Sequence, residues 1–168
     1  MGKLTRLLKH RLWDEADARR ALPAAVLDRL QAQVAASEAR HSGEIRVCVE
    51  ASLPLSYLWR NAPARQRAIS MFGKLRVWDT EHNNGVLIYL LLAERRIEVV
   101  ADRGLDARAA PVTWTAMVDS LRTALRGDNF EDGLSAAIRT ADEMLVAHFP
   151  LAAGVTRLNE LPDAVVLL

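Results

Sequence analysis

The sequence predicts an α/β protein, a sheet layered between helices (α/β/α), and three observations carry that prediction. Residues 44–50 alternate, with Ile45, Val47 and Val49 on one side and Glu44, Arg46, Cys48 and Glu50 on the other. Period two is the signature of a strand, here with one face in the core and the other partly covered. Residues 86–93 form the most apolar run of the chain, and residues 96–101 return after a short connection marked by Arg95, predicting an antiparallel hairpin over about 85–92 and 96–101. Apolar residues at helical spacing lie before, between and after these strands, which sets helices against the sheet.

The first apolar stripe, Leu4, Leu7, Leu8, Leu12 and Trp13, is interleaved with basic residues and predicts one amphipathic helix through about Arg20. Pro23 suits the first turn of a second helix. Val26, Leu27, Leu30, Val34 and Ala35 make its buried stripe, and Gly43 is expected to end it in a left-handed conformation. After Pro54 the chain looks helical from Ser56, is interrupted at Pro63, and resumes over 65–75. Ala68, Ile69, Phe72 and Leu75 are the expected core stripe there, with Arg65, Gln66, Arg67 and Lys74 outside. Pro111 opens a further helix carrying Met117, Val118, Leu121 and Leu125, and Gly127-Asp128-Asn129 separates it from a last one with Phe130, Leu134, Ala137, Ile138, Ala141 and Leu145. The apolar end, residues 164–168, adds an edge strand or covers an apolar patch. This divides the chain into an N-terminal amphipathic helix (1–22), a central domain (23–150) and a tail (151–168).

A chain of 168 residues is one domain by length and buries about 70% of its unfolded surface, enough for a core without staples. Hydrophobic content of 51% against 26% charged argues against disorder, and a net charge of +1 gives no overall field to recruit nucleic acid or an anionic membrane, although the first twenty residues hold Lys3, Arg6, Lys9, His10, Arg11, Arg19 and Arg20 against Asp14, Glu15 and Asp17. The single cysteine, Cys48, sits in a strand and reads as a buried small hydrophobe rather than a reactive thiol. The N-terminal leucines are separated by charges and form no signal-peptide block. Residues 86–93 fall well short of the roughly 20 apolar residues of a spanning helix. The expectation is a soluble, cytoplasmic protein.

Motifs of standard catalysis are missing: there is no Gly-x-Ser-x-Gly elbow, phosphate loop, His-Glu-x-x-His or cysteine pair. What remains is a polar cluster, residues 78–85, that feeds the first hairpin strand, while Asp102-Arg103-Gly104 follows the second. In an antiparallel hairpin those two segments share one edge. Asp79, Glu81, Asn84 and Asp102 are therefore candidate oxygen ligands for a hard divalent cation, Ca²⁺ or Mg²⁺. Plain turns at Asn84-Gly85 and at Arg103-Gly104 explain the same residues. Glu38, His41 and Glu44, near the start of the first strand, are candidates for an anion or a partner, as are Arg67 and Arg103.

Together these segments resemble the TPM domain family, named for a thylakoid lumen protein, a photosystem repair protein and a modulator of acetylcholine receptors. The resemblance rests on Ser37-Glu38, His41, Gly43-Glu44-Ile45-Arg46, Val77-Trp78-Asp79-Thr80, Asn83-Asn84-Gly85-Val86-Leu87-Ile88-Tyr89, Val99-Val100-Ala101-Asp102-Arg103-Gly104, Trp114 and His148-Phe149-Pro150. It spans roughly residues 38–150 and looks like the compact bacterial branch. It implies an α/β/α sandwich with a central mixed sheet, divalent-cation binding in some members, and a weak acid-phosphatase activity in the plant relatives. The sequence has Asn-Asn-Gly where many relatives place acids, and Asp102-Arg103-Gly104 where they often have Thr-Gly-Tyr-Gly.

The functional expectation is a binding or scaffolding module with a divalent-cation site at the edge of the sheet, serving a protein partner or a phosphorylated small molecule. The alternative is a weak metal-assisted phosphatase, in which Asp79, Glu81 and Asp102 hold the cation and Arg103 or Arg67 clamps the phosphate. A second alternative is a membrane-associated envelope or quality-control factor that touches the lipid surface through residues 4–20.

Overall fold

A computed structural model describes residues 2–109, 111–126, 129–152 and 159–168. Its elements, in chain order, are α1 (Lys3–Arg11), α2 (Glu15–Ala21), α3 (Ala24–Glu38), β1 (Ile45–Glu50), α4 (Leu55–Trp59), α5 (Ala64–Lys74), β2 (Val86–Leu91), β3 (Arg96–Ala101), α6 (Arg103–Asp106), α7 (Pro111–Arg126), α8 (Phe130–His148) and β4 (Val166–Leu167).

The sheet has the order β3-β2-β1-β4. β1 runs parallel to both β2 and β4, and β2 pairs antiparallel with β3 in the register Val86 to Ala101 through Leu91 to Arg96. The sheet is therefore mixed, the expected hairpin is present, and the apolar end of the chain supplies an edge strand. Arg95 turns the hairpin in a left-handed conformation, φ 49°.

Strand alternation splits the core in two. Ile45, Val47, Val49, Val86, Ile88, Leu90, Ile97 and Val99 face a large cluster contributed by α2, α3, α7 and α8. Cys48, Leu87, Tyr89, Leu91 and Val100 face a smaller one with Leu58, Ala64, Ala68 and Met71. Helices thus cover both faces. The second face of β1, expected to be only partly covered, is covered as well: every residue of that strand is buried.

Burying Arg46, Cys48 and Glu50 requires partners. Glu50 receives Nε of Arg67 at 2.9 Å and Nη2 at 2.6 Å, and the Tyr89 hydroxyl donates to it at 2.5 Å. Arg67 is consequently inside, at 8% exposure, while Ile69 is 53% exposed. The expected stripe of α5 is rotated: Ala64, Arg67, Ala68 and Met71 are the buried set. Desolvation outweighs every other influence on Cys48 and pushes its thiol up to about 12, so it is an inert packing group, as read from the sequence.

The N-terminal stretch is two helices rather than one. Asp14 and Asp17 exchange side-chain and backbone hydrogen bonds in a capping box that starts α2 afresh. Gly43 does not terminate α3, which ends at Glu38 without any left-handed glycine. Its lack of a side chain instead admits Leu145 Cδ2, 2.4 Å from where a Cβ would lie. Gly73 lies inside α5, and the left-handed residue after the helix is Arg76. Gly127 and Asp128 lie outside the described residues, as do the side chains of Leu121 and Leu125.

α1 is fixed to the domain by polar groups. Arg6 Nε lies 2.7 Å and His10 Nε2 3.0 Å from Glu94 Oε1. The backbone N–H of Leu53 donates to His10 Nδ1 at 3.0 Å, which leaves the ring proton on Nε2, facing the carboxylate. Burial alone would push the Glu94 carboxyl up, but hydrogen bonds from His10 and Arg6 outweigh it and hold the group at about 2. A depressed carboxylate binds fewer protons folded than unfolded. Its contribution is therefore present above the ordinary value of 4.5 and lost as pH falls toward about 2. Thermal midpoints of the wild type and Glu94→Gln should differ most near neutral pH and converge across that window. A gap independent of pH would show that the charge of Glu94 is not what holds α1.

Candidate functional site

The end of the sheet where β1 and β2 begin and β3 finishes is assembled from three loops tied by their backbones. Val86 N donates to Glu44 O at 2.8 Å, Asp102 N to Gly85 O at 2.8 Å, and Gly104 N to Asn83 O at 2.9 Å. Asn83 takes a left-handed conformation, φ 52°, which asparagine tolerates better than most residues. Two glycines make the closeness possible. A Cβ on Gly85 would sit 2.0 Å from the Val77 carbonyl oxygen, and one on Gly104 would sit 2.5 Å from that of Asn83.

Within this edge Asn84 is wholly buried. Its N–H donates to Thr80 Oγ1 at 3.1 Å and its amide nitrogen to Ser42 Oγ at 3.2 Å. Asp102 is 9% exposed and accepts from Arg103 N at 2.7 Å through Oδ1. Asn84 Oδ1 and Asp102 Oδ2 are buried and accept no hydrogen bond among the described residues. Such oxygens are unusual in a folded protein, and their chemistry, one amide and one carboxylate, suits a hard cation.

The other candidates are placed differently. Asp79 is exposed and ion-paired with Arg76. Glu81 is exposed; its backbone N–H donates to Glu160 Oε2 at 3.1 Å. Among the described residues no three His, Cys, Asp or Glu side chains are grouped to hold a metal ion. The expected four-ligand set therefore divides into two buried members, Asn84 and Asp102, and two exposed acids, Asp79 and Glu81.

Glu38, His41 and Glu44 are all buried. Glu38 Oε1 accepts from Ile45 N at 2.9 Å and anchors the start of β1. His41 Nε2 lies 3.2 Å from Ser37 Oγ and 3.7 Å from Asp142 Oδ1. Glu44 Oε1 accepts from Glu160 N at 3.0 Å. Arg67 is held by Glu50 on the far side of the core, away from this edge. Arg103 is exposed beside it, its Nε donating to Asn83 Oδ1 at 3.2 Å.

Sequence reasoning included Thr80 in the polar cluster and Ser42 in the segment before the first strand without giving either a role, and it missed Glu160. Thr80 had a signal, since a hydroxyl four residues before Asn84 can meet its N–H in a turn; Glu160 comes from the tail and had none.

Comparison with known proteins agrees with this architecture. The NMR structure of the BA42 protein from the psychrophilic bacterium Bizionia argentinensis superposes with a TM-score of 0.75 at 25% identity, covering 87% of this chain and 94% of that one. Among curated proteins there is no match. A profile of the TPM domain matches residues 16–144, so the resemblance read from the hairpin and its two polar edges holds across most of the chain, and the chain belongs to the TPM domain family.

Proposed function

We propose that this domain is a binding module whose occupant is a hydrated divalent cation at the edge of the sheet. The observation that carries the reading is the pair of buried oxygens, Asn84 Oδ1 and Asp102 Oδ2, left without hydrogen-bond donors among the described residues, on loops bonded to each other. Ca²⁺ tolerates irregular oxygen shells completed by water, and Mg²⁺ keeps several waters. Asp79 and Glu81, exposed on the same loop, supply a negative rim rather than ligands.

Titrating Ca²⁺, Mg²⁺ and Mn²⁺ while following backbone amides by NMR tests this. Changes confined to residues 83–85 and 102–104 are expected. Asp102→Asn should weaken the site at least about tenfold, because charge count sets affinity in such sites. No response to any of the three ions, or a response at Asp79 and Glu81 with none at Asn84 and Asp102, would remove the reading.

A metal-assisted phosphatase is the competing proposal. The exposed guanidinium of Arg103, next to the edge, favours it. Arg67 supports it less, being bound to Glu50 by two nitrogens. Cation-dependent hydrolysis of a generic phosphate ester, lost in Asp102→Asn and reduced in Arg103→Ala, would select it over simple binding.

A further inference from the structure

α1 is amphipathic in the wrong sense for a helix packed on a soluble domain. Arg6 and His10 turn inward to Glu94, and His10 is 3% exposed. Leu4, Leu8 and Leu12, one face at i, i+4 and i+8, turn outward at 76%, 64% and 80% exposure. α4 packs beside α1 and repeats the arrangement, with Leu55 65% and Trp59 67% exposed. Between the two helices runs an apolar groove of about 380 Å³ lined by Leu4, Leu7, Leu8, Leu53, Leu55 and Leu58.

Exposed apolar side chains gathered in one place mark a contact surface, whereas scattered ones do not. The surrounding charge indicates the partner. Neither α1 nor α4 contains an acidic residue, and Lys9, Arg11 and Arg60 stand around the leucines. A second copy of the chain would bring those cations against their own kind. A negatively charged sheet of lipid headgroups over hydrocarbon meets both requirements.

We infer that α1 and the exposed face of α4 form a docking surface for an anionic lipid bilayer. Leu4, Leu8, Leu12, Leu55 and Trp59 enter the headgroup boundary, and Lys9, Arg11 and Arg60 meet the phosphates. Because α1 is held by Glu94 in the absence of lipid, the surface is preformed and needs no folding on contact.

Co-sedimentation of the full chain with vesicles of phosphatidylcholine, with and without about one-third phosphatidylglycerol, tests the inference. The protein should pellet with the anionic vesicles and be released by salt. The triple variant Leu4→Ser/Leu8→Ser/Leu12→Ser, altered at exposed positions, should keep its thermal midpoint and bind at least about tenfold more weakly. Failure of the wild type to pellet with anionic vesicles would overturn the inference, as would undiminished binding by a folded triple variant. Concentration-dependent dimerisation of the wild type that the triple variant loses, without vesicle binding, would assign the surface to a second copy instead.

Discussion

Arg67→Met should lower stability by about 3–5 kcal/mol, because it leaves the carboxylate of Glu50 buried without its cation. For a domain of this length that is a fall of roughly 6–20 °C in thermal midpoint. Glu50 is 4% exposed, Tyr89 is wholly buried above it, and the Arg67 fork is the charge that balances it. Burial first, and then the neighbouring Glu50 carboxylate, pushes the Tyr89 hydroxyl upward; that hydroxyl stays a proton donor and cannot take over the role of the arginine. Adding Glu50→Gln to Arg67→Met should return part of the loss, since a neutral amide costs less to bury than a lone carboxylate. Denaturant unfolding of the two single variants and the double variant closes the cycle. A loss below about 1 kcal/mol in Arg67→Met would mean that the pair is hydrated rather than structural. The same variant also addresses the phosphate-clamp expectation, because a residue bound to Glu50 in the core should affect stability more than ligand affinity.

Gly85→Ala should be comparably damaging for a steric reason. The added carbon would sit 2.0 Å from the Val77 carbonyl oxygen and 2.9 Å from Val77 Cγ1, and the first of these is backbone that has no rotamer to change. Gly85 also accepts the N–H of Asp102 at 2.8 Å and lies between Asn84 and the first residue of β2. Relief by moving the loop would therefore pull on both buried oxygens of the candidate site. A loss of more than about 3 kcal/mol is expected, at the upper end for overpacking by one methyl. Cation-induced NMR shifts at Asn84 and Asp102 should shrink in whatever folded fraction remains. Gly73→Ala, where no atom lies within 4 Å of the added carbon, is the control, and it should be neutral or mildly stabilising for a helical site. Equal behaviour of the two variants would refute the steric argument.

How far these features can be read in advance depends on whether the cause is local. The hairpin was legible because Asn84-Gly85, the apolar run and Arg95 act within a few residues of one another, and register then follows from strand period. The helices after Pro23, Pro63 and Pro111 were legible for the same reason. The rotation of α5 was not, because Arg67 looks like a surface residue until Glu50, seventeen residues earlier, is seen to need it. The break between α1 and α2 was available in Asp14-x-x-Asp17, a short-range capping signal that competes with the helical spacing of the leucines before it. At the site, Asn84 and Asp102 follow directly from hairpin geometry. Asp79 and Glu81 do not, because the left-handed residues Arg76 and Asn83 bracket their loop and set its orientation independently of sequence spacing. Glu160 reaches Glu44 from 116 positions away, and no pattern in the chain announces it.

The borders of the sheet also bear on how the protein keeps to itself. At one border the guanidinium of Arg65 donates to the Val99 carbonyl of β3, so a long, flexible cation occupies an acceptor on the outermost strand. At the other, β4 offers only Val166 and Leu167. An exposed strand is a template on which a foreign strand can grow. Here one template is plugged by a charge that an incoming strand would have to displace, and the other is too short to hold a strand in register. Both devices work against edge-to-edge joining of a sheet whose middle strand is as apolar as residues 86–91.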